Sequence, residues 1–377
     1  MYILKHQTSH VLLNHTLAGN DRFLQYLAFG AIFNKAKAKK NIEHFLDYKQ
    51  RWQNTGLDSA WECTDETEKF RFITELFRNV IYDFINYIPP GPLLMGFTAG
   101  LDSRFILHNL QQENIKPAIF TFGQIGQRDF DLSRYLSKKL GLDLILFDTS
   151  EIKWSLHWYD QVTAEFLDTP LSPRVICARY LLNQFGTHSN LHGYLNDLIT
   201  GKLVKFAPLN NWTKSKQEFI QSNDTFGLQR FINKEYIQSP FTDKPLAENE
   251  QIPYIQQLNL SYRQEQRVRP TSYAGINYLL PFEDWRWIGF WLNRNYNEIF
   301  KQNLFKRFIV NLDSNLFPDV PLLKNQDHAA FWNNLNSFVY GGLLPERNLL
   351  ERQSGKMGRW ARCWILLPKK CRERLIR

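Results

Sequence analysis

Apolar residues recur at helical spacing from residue 66 to residue 87, where Phe70, Ile73, Leu76, Phe77, Val80, Ile81 and Phe84 fall on one face. Pro89-Pro90-Gly91-Pro92 stops that helix. The period then changes. Short apolar runs at 93–95, 118–122 and 143–147 read as strands, and they alternate with helical patterns at 103–110 and 131–140. Gly141 stands where a helix C-terminal glycine belongs. Strands of this length between helices predict an α/β fold with a doubly wound parallel sheet, whose ligands bind beyond the carboxyl ends of the strands.

At 377 residues, with 44% hydrophobic and 15% aromatic content, the chain has ample material for a core and is no disordered segment. The formal charge of +9 is concentrated: residues 347–377 carry ten Lys/Arg and two Glu, leaving the remainder close to neutral. A basic tail on a neutral body argues against a nucleic-acid-binding core. Trp360, Trp364 and Leu366 among the tail's Arg and Lys fit either contact with an anionic membrane surface or a C-terminal helix packed by its aromatic stripe. The basic run at 35–40 reads either as a solvated helix face or as a binding patch. Cys63, Cys177, Cys363 and Cys371 form no Cys-x-x-Cys pair, so neither a thiolate metal site nor a disulfide framework is expected. With no signal-peptide pattern at the start and no apolar run of spanning length, the expected location is cytoplasmic. Oligomeric state has no signature here.

The chemistry begins where the first strand meets the first helix of the α/β pattern, at Thr98-Ala99-Gly100-Leu101-Asp102-Ser103. A strand, a tight turn and a helix N-terminus offer free backbone N–H groups and a positive dipole end to an anion. Thr98 and Ser103 add hydroxyls, Gly100 permits close backbone approach, and Asp102 can hold a cation bridging phosphates. Arg104, next in line, either touches substrate or faces solvent.

This run resembles the Ser-Gly-Gly-x-Asp-Ser pyrophosphate loop of the asparagine synthetase-like ATP pyrophosphatases, a group that includes asparagine synthetase, β-lactam synthetase and lasso-peptide cyclases. Thr98 keeps the first hydroxyl, whereas Ala99 replaces the first glycine. The stretch 191–201 resembles the family's second motif, with Gly193 as its glycine, Leu195 in place of the next one, and Asp197 matching the second Mg²⁺ carboxylate opposite Asp102. Asp197 reads alternatively as a helix cap. Tyr194 matches the position where β-lactam synthetase-like enzymes carry a Tyr that works with a Glu to deprotonate an amine; Glu265 is the candidate partner, or else one charge on a solvated helix. Pro281-Phe282-Glu283-Asp284 is similar to the Pro-Phe-x-Asp signature, and Lys306 to the family's α-phosphate lysine, the alternative being a surface lysine beside core Phe305 and Phe308. The segment 22–30 resembles the connector that follows the family's glutaminase domain, and without a Cys before Cys63 that domain is expected to be absent.

The resemblance implies a PP-loop, adenine nucleotide alpha hydrolase-like fold with helical additions. It divides the chain into an N-terminal connector and helix at 1–88, a synthetase domain at 89–330 and the basic tail at 331–377. It also implies an AMP-forming carbon-nitrogen ligase that uses ATP and Mg²⁺, adenylates a carboxylate and passes it to an amine. The partners expected are a small-molecule or peptide carboxylate and amine, and no nucleic acid. Ala99 and Leu195 favour the alternative of a non-catalytic nucleotide-binding paralogue, while the missing thiolate pair disfavours a sulfur transferase.

Overall fold

In the computed structural model, the described residues are 24–25, 28–29, 31–62, 65–86, 88, 92–123, 128–148, 178, 181–184, 186, 189–204, 211–224, 229, 232–269 and 276–312. The basic tail 331–377 with its expected membrane contact, residues 1–23 and all four cysteines lie outside them.

Among the described residues, three helices with defined bounds precede the sheet: α1 (Lys35–Gln53), α2 (Leu57–Glu62) and α3 (Glu66–Ile85). Asn34 and Asp65 start α1 and α3 by accepting hydrogen bonds from the N–H groups of Lys37 and Glu68. The α/β part follows as β1 (Leu94–Gly96), α4 (Leu101–Gln112), β2 (Ala118–Gly123), α5 (Arg128–Leu140), β3 (Leu144–Asp148) and β4 (Ser189–Leu191). Next come α6 (Asn196–Ile199), α7 (Trp212–Ser222), α8 (Lys234–Gln238) and α9 (Tyr254–Leu258), which runs on as a π-helix over Asn259–Val268. After β5 (Asn277–Leu279), the described chain ends with α10 (Trp285–Leu292), α11 (Tyr296–Ile299) and α12 (Asn303–Leu312). Two of the expected helices begin earlier than the apolar pattern indicates, at Leu101 and Arg128, because polar first-turn residues dilute the pattern there.

All four pairings among the described strands are parallel, in the order β3-β2-β1-β4-β5. This is an α/β structure compatible with a doubly wound fold. Chain order reverses at β1, so the crevice between the carboxyl ends of β1 and β4 is the sheet's topological switch point. Alternation along β1 divides the interior: Met95 joins the main core with α4, while Leu94 packs on the opposite face with Phe120, Leu181 and Ile276.

The main core also takes in the N-terminal helices, as Ile42, Phe45 and Trp52 of α1 pack in it with β1 and α10. Its aromatic centre stacks Phe77 of α3 on Phe105 of α4 (centroids 4.4 Å apart) and on Phe282 (4.9 Å), with Trp287 of α10 at 4.7 Å. No described helix is long and apolar enough to cross a membrane.

Helices α1 and α10 touch through a glycine. A Cβ on Gly289 would fall 2.6 Å from both the Tyr48 carbonyl oxygen and the Trp52 Cβ, and backbone cannot yield as a flexible side chain does. Gly289→Ala is therefore expected to destabilise the fold by about 1–3 kcal/mol through overpacking, whereas Val310→Ala at an exposed site should stay within about 0.5 kcal/mol. Urea unfolding measures both, and equal stability for Gly289→Ala would contradict the packing described.

Candidate functional site

The turns that leave β1 and β4 meet at the switch point. The first, Phe97 to Gly100, delivers the chain to α4, whose Leu101, Asp102 and Ser103 carry N–H groups with no intrahelical acceptor. Gly100 is the N-cap residue and supplies no side-chain cap, so these groups are not claimed from that quarter. The second turn, His192 to Leu195, leads into α6, and it approaches so closely that a Cβ on Gly193 would lie 2.9 Å from the Asp102 Cβ.

Asn196 joins the two turns to the core. Fully buried, it donates from Nδ2 to Asp102 Oδ1 (2.6 Å) and accepts at Oδ1 from the Trp287 indole N–H (2.9 Å). Asp102 and Asp197 come within hydrogen-bonding reach of one another. Burial first, and the Asp197 carboxylate second, push the Asp102 carboxyl from 3.8 up to about 8, against the opposing pull of Asn196 and Lys202. Asp197 sits inside α6, with Leu195 at the N-cap, so the helix-cap alternative for it does not hold. Its carboxylate pairs with Lys202 and faces Gln302 Nε2 at 3.4 Å; the same Gln302 nitrogen donates to Thr200 Oγ1 at 2.7 Å.

The backbone here is held in unusual conformations. Five described non-glycine residues have left-handed φ, and four of them belong to this site: Ala99 (52°), Leu195 (75°), Lys301 (52°) and Gln302 (61°). Each such residue costs of order 1–3 kcal/mol and persists because its surroundings hold it. Ala99 and Leu195, which stand where the resembled motifs carry glycine, adopt glycine-like backbone angles; both are buried in the main core.

Cations surround the carboxylate pair. The half-buried Lys306 donates to the Lys301 carbonyl (2.6 Å), and its pKa is lowered by burial, then by Lys202 and Lys301, with Asp197 opposing. It lies within electrostatic range of Asp197, on a helix whose Phe305 and Phe308 are buried in the core. Arg263 of the π-helix is depressed by burial and supported by Asp197.

Several expectations need correction. Arg104 neither faces solvent nor lies open to a substrate: it is 1% exposed, donates to the Gly100 carbonyl (3.4 Å), and burial lowers its pKa to about 10 against Asp102. Ser103 directs its hydroxyl to the Gly100 carbonyl (3.1 Å), and Thr98 Oγ1 accepts a long bond from Gly100 N (3.4 Å), so both hydroxyls serve the turn itself in this state. Tyr194 is buried and donates to the Gln264 carbonyl (3.1 Å), while burial and then Glu265 raise its pKa, which disfavours the phenolate. Glu265 does lie beside Tyr194, but Arg269 clasps it with bonds of 2.9 and 3.3 Å, reaches Glu283 as well, and sits 5.3 Å from the Tyr194 ring centroid. Asp284 caps α10 and binds Arg286, a purely structural task.

Sequence reasoning missed Asn196, Arg269, Glu283 and Gln302 as site residues. The first three lie within or beside the motifs already singled out, whereas Gln302 has no signal except its nearness to Lys306.

Asp102 also sets a pH dependence. From pH 4 to 8 the folded chain keeps a proton that the unfolded chain has released, so stability should fall as pH rises through that window. Asp102→Asn should flatten the fall, which denaturant midpoints across pH would record; an unchanged slope would contradict the buried pair. Neither a family model nor a curated protein matches the sequence.

Proposed function

We propose that the chain is an ATP-dependent, AMP-forming ligase that adenylates a substrate carboxylate and passes the acyl group to an amine. One observation carries this reading: a pair of neighbouring carboxyl groups, Asp102 and Asp197, stands at the switch point of the sheet among Lys202, Lys301 and Lys306. Paired carboxylates under a rim of lysines suit a polyphosphate together with a divalent cation. The strand order and the 98–103 and 193–197 turns also support the finer assignment to the PP-loop, adenine nucleotide alpha hydrolase-like fold of the asparagine synthetase group.

Mg²⁺ fits this donor set. Two carboxylates that share a proton when alone can share a cation, and Mg²⁺ needs only one or two carboxylates when phosphates complete its shell. Bound there, the cation would neutralise charge on the β- and γ-phosphates. The protein's own part is positional. The N–H groups of Leu101 to Ser103 receive phosphate oxygens at the positive end of α4. Lys306 exchanges the Lys301 carbonyl for the α-phosphate and stabilises charge as the substrate carboxylate forms its bond to phosphorus and pyrophosphate departs. The amine then attacks the acyl carbon, AMP leaves with the electron pair of the broken C–O bond, and the proton shed by the nitrogen passes to the departing phosphate or to water. Arg269 holds Glu265 and Glu283 beside Tyr194 at the rim, a placement that suits them for orienting the amine.

A second reading, nucleotide binding without amide formation, is favoured by the state of Tyr194 and Glu265: the phenol is committed to a main-chain carbonyl and the carboxylate to Arg269, leaving neither free as a base. Isotope exchange between pyrophosphate and ATP, run with Mg²⁺ and a panel of carboxylates, tests the first reading. Exchange is expected, with a loss of about 10²–10³-fold in Lys306→Ala and a loss at least as large in Asp102→Asn. ATP binding without exchange would favour the second reading, and absence of ATP binding would defeat both.

A further inference from the structure

The π-helix that carries Glu265 also carries two arginines that the steps above leave unused. A π-helix closes its backbone bonds five residues apart and is frequent only at functional sites. Here it runs over Asn259–Val268. Gln264 and Arg269, five apart, both meet Tyr194: the Gln264 carbonyl accepts from its hydroxyl at 3.1 Å, and Arg269 stands 5.3 Å from its ring centroid. Arg263, next to Gln264, therefore lies at the wall of the site, where Asp197 acts on it electrostatically. Arg267 follows one turn later and donates to Asn223 Oδ1 at 3.2 Å. Burial first and Arg263 second lower the Arg267 pKa to about 10. The two guanidinia form a cationic group apart from the lysines: Lys306 is acted on by Lys202 and Lys301, Arg267 by Arg263, and Asp197 acts on both groups. Their partners differ as well. Arg269 is clasped by Glu265 and Glu283, whereas the half-buried Arg263 guanidinium has no hydrogen bond or ion pair among the described residues. It presents five donors in a fixed fork and has given up part of its hydration without gaining an acceptor.

We propose that Arg263, with Arg267 behind it, docks a phosphoryl group carried by the acyl substrate, apart from the carboxyl that reacts. The inference rests on the ligase reading above for its two substrates, and it adds the chemical class of one of them. Charge sets that class. Two neighbouring guanidinia repel, and a single carboxylate would offset only one of them. A phosphoryl group carries nearly two negative charges at neutral pH and three acceptor oxygens, enough to engage both forks. Placement assigns the group to the acyl substrate. The acids Glu265 and Glu283 stand at the rim that suits an amine, whereas Asp197 connects Arg263 with the Lys306 side, where the reacting carboxyl meets the α-phosphate.

Calorimetric titration of orthophosphate, and separately of acetate, into protein saturated with Mg²⁺ and α,β-methylene ATP tests the proposal, because the nucleotide then fills its own phosphate positions. One orthophosphate should bind, and acetate should bind at least about tenfold more weakly. Arg263→Gln should weaken orthophosphate by about tenfold or more, and Arg263→Lys, which keeps the charge without the fork, by less. Nucleotide affinity should be unchanged in both variants. Since the guanidinium has no partner among the described residues, the melting temperature of Arg263→Gln without ligand should not fall; a merely structural arginine would lower it. No orthophosphate binding to the nucleotide-loaded wild type, equal orthophosphate affinity in Arg263→Gln, or acetate bound as tightly as orthophosphate would overturn the docking role while leaving the ligase reading intact. So would a loss of nucleotide affinity in Arg263→Gln, which would place the arginine at the triphosphate instead. Failure of the wild-type protein to bind nucleotide would overturn the ligase reading, and with it the assignment to an acyl substrate.

Discussion

The arrangement at the switch point depends on one buried amide. Asn196 stands between the aromatic core and the carboxylate pair, accepting from the Trp287 indole and donating to Asp102. The indole is itself anchored in the stack of Phe77, Phe105 and Phe282, so the packing of α3, α4 and α10 fixes the orientation of the amide. The amide in turn fixes the carboxyl group. Gly193 is what lets the two turns come this near, because any side chain there would meet the Asp102 Cβ. Removing the amide would strand a buried indole N–H and a buried carboxyl together, each with the desolvation cost of an unmet polar group.

Around this fixed point the chain tolerates strain and unbalanced charge. Left-handed backbone occurs at Ala99, Leu195, Lys301 and Gln302 around the carboxylates; Ala99, Leu195 and Gln302 are held there by burial, while Lys301 is exposed. Three lysines stand near one another, and the proximity is registered in the lowered pKa of Lys306. Like charges gathered at one point, next to two acids within hydrogen-bonding reach of one another, mark this corner of the fold as a candidate site. On the other face of the same strand ends, Asn190 adds an acceptor with nothing to accept from among the described residues.

Much of the fold was legible in the sequence. Strands β1 to β3 are buried within a parallel sheet and so read as uninterrupted apolar runs between helical patterns. β4 and β5 escaped because each is three residues long and begins with a polar residue. The two turns that build the site were readable as motifs, and Asp102, Gly193, Asp197 and Lys306 do converge. Their partners were not readable. The Arg269–Glu283 pair spans fourteen residues that no periodicity links, and the π-helix carrying Glu265 has a composition like that of any polar helix. Nor does sequence state that an alanine and a leucine will accept glycine's backbone angles, since that follows from the packing around them.

Proton accounting during nucleotide binding reaches the central claim most directly. If a divalent cation and phosphates take the place between Asp102 and Asp197, the proton held on Asp102 at neutral pH must leave. Titrating Mg²⁺–ATP into the protein at pH 7, in buffers of differing ionisation enthalpy, should record release of about one proton per site in the wild-type chain and almost none in Asp102→Asn. Binding without proton release, or equal release in the variant, would contradict the placement of the cation between these two carboxylates.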